Sequence, residues 1–103
     1  MLAFMLLVSF DRVIAYTEQD FTILAVGASN NTNSVFIDVA ETALSTDCVN
    51  KVHFKLSVLD QNADRFYSMA LAAQAQGKKM RLGYEPSDCL SNAVEPRVFK
   101  IIS

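Results

Sequence analysis

From Val52 to Val58 apolar and polar residues alternate without interruption: Val52, Phe54, Leu56 and Val58 against His53, Lys55 and Ser57. A period of two is that of a strand with one face on a core, so the first set is expected to point inward. Two earlier runs read the same way. Phe21–Val26 is rich in β-formers, and Ser34–Val39 sets Val35, Ile37 and Val39 on one face and Phe36 on the other. Between them Gly27–Asn33 is turn-rich. Its Asn30-Asn31-Thr32 triplet matches a glycosylation sequon, a match common by chance, so the stretch is taken as a turn. Tyr16–Asp20 is a polar lead-in and Ala40–Asn50 a polar connection.

After Val58 the period changes. Ala63, Phe66, Tyr67, Ala70, Leu71 and Gln74 recur at helical spacing, which predicts a long helix with those residues on one face. Asp60 is the expected N-cap, with Asn62 as competitor. Gly77 is the expected left-handed stop, and Lys78 and Lys79 suit the negative helix end. The period then returns to two, with Met80, Leu82 and Tyr84 on one face, until Pro86. Ser87–Pro96 reads as a loop and Arg97–Ile102 as a last strand.

The predicted order is therefore β-β-β-α-β-β, mainly β with one helix. That is the succession of an OB-fold, a five-stranded Greek-key barrel with a helix between its third and fourth strands. An open α+β sheet crossed by the helix is the alternative. With 103 residues and no repeat or linker, one domain is expected, over residues 16–103.

Residues 1–15 are set apart as a candidate signal peptide. Met1–Phe10 is apolar, too short to span a bilayer as a helix, and Val13-Ile14-Ala15 offers small enough residues for cleavage before Tyr16. No Lys or Arg precedes the apolar run and Asp11-Arg12 interrupts the path to the cleavage site, so a buried first strand or an N-terminal hydrophobic arm is the competing reading. Export fits the two cysteines, since a pair in a small exported domain usually forms a disulfide. The expected bridge joins Cys48 to Cys89; two free thiols in a cytosolic protein is the alternative. The expected location is periplasmic or secreted, with no membrane attachment after cleavage.

Composition narrows the chemistry. A net charge of −2, with 19% charged residues, supplies no basic surface for nucleic acid. His53 is the one histidine, and it sits mid-strand, where a surface role is expected. The cysteines lack metal or redox spacing, and three glycines leave little material for a phosphate cradle. Asp38, Glu41, Asp47, Asp60, Asp64, Glu85, Asp88 and Glu95 are assigned to solvated loops and caps, because nothing in the sequence pairs any two in an apolar pocket. Tyr67 and Tyr84 are assigned to the core, with Phe36 left as a candidate ligand-facing ring. No catalytic residue, metal or cofactor is expected, and the ligand is not legible.

One stretch carries a likeness. Phe66-Tyr67-Ser68-Met69-Ala70-Leu71-Ala72-Ala73-Gln74-Ala75-Gln76-Gly77-Lys78-Lys79-Met80-Arg81-Leu82-Gly83-Tyr84-Glu85-Pro86 resembles the helix-then-strand segment of the binding subunits of subtilase cytotoxin. It also resembles a set of small exported bacterial proteins of unknown function. The likeness covers roughly the C-terminal half. It implies an OB-fold, and for the toxin subunits a ring of five that binds glycans and carries a catalytic partner. No sugar-pocket residue carries over, because the N-terminal half has no matching motif. Two functions are thus expected: a non-catalytic exported OB-fold protein, or a glycan-binding subunit of a homo-oligomeric ring.

Overall fold

The computed structural model describes residues 16–103, so the candidate signal peptide lies outside the described residues. The elements are β1 (Thr17–Phe21), β2 (Ile23–Ser29), β3 (Ser34–Val39), β4 (Asn50–Ser57), α1 (Ala63–Gln76), β5 (Lys79–Tyr84), β6 (Cys89–Leu90), β7 (Ala93–Val94) and β8 (Val98–Ile102). They form two sheets, of order β1-β5-β8 and β2-β3-β4-β7-β6. All pairs are antiparallel except β4 with β7.

The chain is mainly β with one helix, as expected, but the two sheets do not join into a closed five-stranded barrel. Side-chain chemistry at two points explains the break. At Thr22 the backbone N–H donates to Glu41 Oε1 (2.6 Å) and the hydroxyl to Glu41 Oε2 (2.8 Å), so Glu41 takes a donor the ladder would use. The run on either side divides: β1 pairs with β5 and β2 with β3. Near the C-terminus Pro96, which has no N–H to give, separates β7 from β8 in the same way.

Three local expectations are corrected. The polar lead-in is strand β1, because Thr17, Gln19 and Phe21 face inward while Glu18 and Asp20 face out. The loop after Pro86 holds the short hairpin β6–β7, turned through Ser91 at φ 57°. Val52 and Val58 are exposed rather than buried, because the β3–β4 register spans only His53 to Ser57 and leaves both valines beyond it.

Phe54 and Leu56 do point inward. Phe54 meets Phe21 edge-to-face at 4.8 Å and Tyr84 at 5.8 Å, so this trio joins β4 to β1 and β5. Met80, Leu82 and Tyr84 are all buried, as the period of two requires.

The helix differs from its predicted face. Ala63, Phe66, Ala70 and Ala73 are buried, Tyr67 packs partly on the core and Leu71 is 42% exposed. Alanine at three of those four positions lets the backbone lie close to the sheets, and the contact seam follows the small residues. Gln74 stays at the rim, its amide donating to Leu24 O at 3.0 Å. The N-cap is Asn62, not Asp60, and no side chain caps it. Asp60 instead shapes the turn before it, its Oδ1 accepting the Asn62 N–H and its carbonyl the Ala63 N–H. Gly77 adopts φ 65°, with Lys78 N–H donating to Ala73 O and Gly77 N–H to Gln74 O, the paired bonds of a Schellman end.

Candidate functional site

A cleft opens where the start of α1 meets the link from β7 to β8. It is lined by Leu56, Asp60, Asn62, Glu95, Pro96, Arg97 and Phe99 and encloses about 330 Å³. That volume is at the small end of ligand sites. β4 supplies Leu56, the turn before α1 supplies Asp60 and Asn62, and the link supplies the rest. Phe99 is steadied by an edge-to-face contact with Phe66, 5.2 Å between centroids.

Asp88 braces the far wall. Its carboxylate accepts from Arg97 Nε and Nη2, both at 2.8 Å, and from the Glu85 N–H. Its carbonyl accepts the Glu95 N–H at 2.9 Å. The Arg97 hydrogen bonds hold the Asp88 carboxyl below its ordinary value, against the opposing effect of burial. Next in sequence, Cys89 is bonded to the buried Cys48, whose Sγ lies 3.2 Å from the Asp88 carbonyl oxygen. The expected disulfide is therefore present, and it ties the connection before β4 to the back of the cleft.

Inside the cleft the carboxylates are less well served. Glu95 is pushed upward by burial first, then by the nearby charges of Asp88 and Asp60, with Arg97 opposing. No hydrogen bond to the Glu95 carboxylate is formed within the described residues. Asp60 spends Oδ1 on the Asn62 N–H. Arg97 spends Nε and Nη2 on Asp88, leaving Nη1. The cleft thus holds two carboxylates, an amide, a residual guanidinium donor and the apolar side chains of Leu56, Pro96 and Phe99.

A second cluster lies on the outer face of β3 and β4. His53 Nδ1 is 2.5 Å from Asp38 Oδ1, and the His53 ring sits 4.9 Å from that of Phe36. Phe36 can lie across β2 because Gly27 is beneath it; a Cβ there would come within 2.6 Å of the ring. His53 does face outward, as its strand position implies, but it is oriented by Asp38 and Phe36. Among the described residues no nucleophilic side chain is bonded to it. Among the described residues no three His, Cys, Asp or Glu side chains converge as a metal site would require.

Of the aromatic candidates, Tyr84 is core, its hydroxyl donating to Leu44 O at 2.7 Å. Tyr67 is partly buried and Phe36 belongs to the outer face. The cleft itself was not legible, because Asp60 is distant in sequence from Glu95 and Arg97. The one local hint was Asp88 beside Cys89, an acidic residue fixed next to the staple. No helix among the described residues is long and apolar enough to cross a membrane. No protein-family model, curated protein or solved structure matches the chain significantly.

Proposed function

We propose that this chain is a small exported, non-catalytic binding domain of OB type that takes a small polyhydroxylated ligand in the acidic cleft. The observation that carries the reading is the Glu95 carboxylate, half-buried in the cleft wall yet unserved by any donor among the described residues. Sugar hydroxyls donate and accept at once, and the cleft offers acceptors at Asp60 and Glu95, donors at Asn62 and Arg97, and apolar faces at Pro96 and Phe99. Three consecutive antiparallel strands, a helix and returning strands support the OB assignment, as does the parallel contact of β7 with β4. An OB barrel opened at Thr22 and Pro96 would have this connectivity. The disulfide is consistent with export to an oxidising compartment.

Mono- and disaccharide panels read by thermal shift, followed by calorimetry, test the proposal. Wild-type protein is expected to bind a member of the panel, and Glu95→Gln to weaken that binding about tenfold, the order of one hydrogen bond to a charged group. A panel without any binder removes the saccharide reading.

A second reading is a glycan-binding subunit of a toxin-like ring, drawn from the helix-and-strand likeness. Ring subunits need free surfaces on two sides, and among the described residues β8 ends the three-stranded sheet with no further strand beside it, which favours it.

A further inference from the structure

The charges around the cleft do not balance. Asp60, Glu95 and Arg97 line it together. Asp88 takes both Nε and Nη2 of Arg97 at 2.8 Å, so that guanidinium is neutralised from behind. Arg65 stands one helical turn beyond Asn62 and does not line the cleft; its Nη1 donates to Asn62 Oδ1 at 3.3 Å. Neither Asp60 nor Glu95 forms an ion pair among the described residues. Two carboxylates therefore border an enclosed, partly apolar space without a countercharge.

The atoms still free show what would balance them. Asp60 keeps Oδ2, and both Glu95 oxygens lack a donor among the described residues. Asn62, its Oδ1 taken by Arg65, keeps Nδ2, and Arg97 keeps Nη1. A hard divalent cation takes about six to eight oxygen ligands and would meet these N–H groups instead. An ammonium group brings three N–H donors, and Asp60 and Glu95 offer three free acceptor oxygens. Charged donors on a carboxylate also make the stronger hydrogen bonds. Burial, then the charges of Asp88 and Asp60, push the Glu95 carboxyl up, and an ammonium beside it would reverse that.

We infer that the cleft selects an amino sugar, with the ammonium group between the Glu95 and Asp60 carboxylates and the ring carbons against Pro96 and Phe99. Arg97 Nη1 and Asn62 Nδ2 donate to the ring hydroxyls. A neutral sugar leaves both carboxylates uncompensated, and an acidic sugar adds a like charge, so the cleft rejects it. This inference rests on the saccharide reading of the cleft and names the member of that class it takes.

Calorimetry on the oxidised protein, slightly below neutral pH, tests it with four forms of the gluco, galacto and manno scaffolds. These are the 2-amino sugar, its N-acetyl derivative, the parent hexose and the uronic acid; a simple diamine is the fifth probe. One amino sugar is expected to bind about tenfold or more tighter than its parent hexose and its N-acetyl form, the order of a hydrogen bond to a charged group. The uronic acid and the diamine are expected to bind more weakly still, and added salt to shrink the preference. Glu95→Gln is expected to bring the amino-to-hexose ratio near one. Asp60→Asn, whose Oδ1 can still accept the Asn62 N–H, is expected to lower that ratio as well. No binding by any sugar removes the saccharide reading and this inference with it. A hexose or uronic acid that binds as well as the amino sugar overturns the inference and leaves the saccharide reading standing. So does a diamine that matches the amino sugar, or a ratio that Glu95→Gln leaves unchanged.

Discussion

Asp88 takes hydrogen bonds from the Glu85 N–H and twice from Arg97, and its carbonyl takes the Glu95 N–H. Its carboxyl is held below the ordinary value by Arg97, so the folded state binds that proton less readily than the unfolded chain. The resulting stability is present above the unfolded aspartate value of about 3.9 and is lost as pH falls through the folded value. Asp88→Asn is expected to cost about 1–3 kcal/mol at neutral pH by putting a buried amide donor where the carboxylate accepts from Glu85 N–H and Arg97, with the deficit shrinking in acid. Glu95 has the opposite sign: burial raises it, so its charge opposes folding at neutral pH and ceases to do so once it is protonated. Glu95→Gln should therefore raise the urea midpoint at pH 7 and leave it nearly unchanged below the ordinary carboxylate range. A pH series of urea melts on both variants checks the two signs. None of this was legible in the sequence, where Asp88 and Glu95 were assigned to solvated loops and caps and Arg97 opened the last strand; only folding buries Asp88, half-buries Glu95 and sets the three around one turn.

At the scale of elements, the helix was the most legible part of the chain and was still placed on the wrong seam. Its length and its Gly77 stop follow from composition and backbone freedom, which are local properties. The seam does not, because Ala73 and Gln74 differ little in periodicity and only the distance to the sheets chooses between them. The choice has a measurable consequence. Ala70→Leu should cost about 1–3 kcal/mol, because the fully buried alanine leaves no room. Leu71→Ala should change stability by less than about 0.5 kcal/mol despite the larger deletion, since Leu71 is exposed. Were Leu71 on the packed face, as the predicted stripe has it, Leu71→Ala would instead cost about 2–5 kcal/mol in thermal melts.

For the molecule as a whole, the strand pattern gave the class and the order of the main elements but not how they divide into sheets. Periodicity sees a strand as one object, whereas here Glu41, nineteen residues downstream of Thr22, decides where the first one splits. The disulfide was better founded, since compartment and cysteine count bear on the whole chain at once. Its members are 41 residues apart. Replacing both with serine should lower stability by about 2–4 kcal/mol in denaturant titration. Thiol titration of the oxidised protein in denaturant should find no free thiol.

The split at Thr22 also orders events in time. β2 pairs with β3 across a short turn, and β3 with β4 across a modest loop, so this meander closes cheaply. β1, joined to β2 through one residue, must await β5 beyond the helix, with Phe21 paired to Met80. Chain-closure entropy therefore predicts a meander that gains amide protection first and a β1–β5 ladder that gains it late, which pulsed hydrogen exchange during refolding would resolve. Glu18, within β1, is thus set in place among the last residues of the chain.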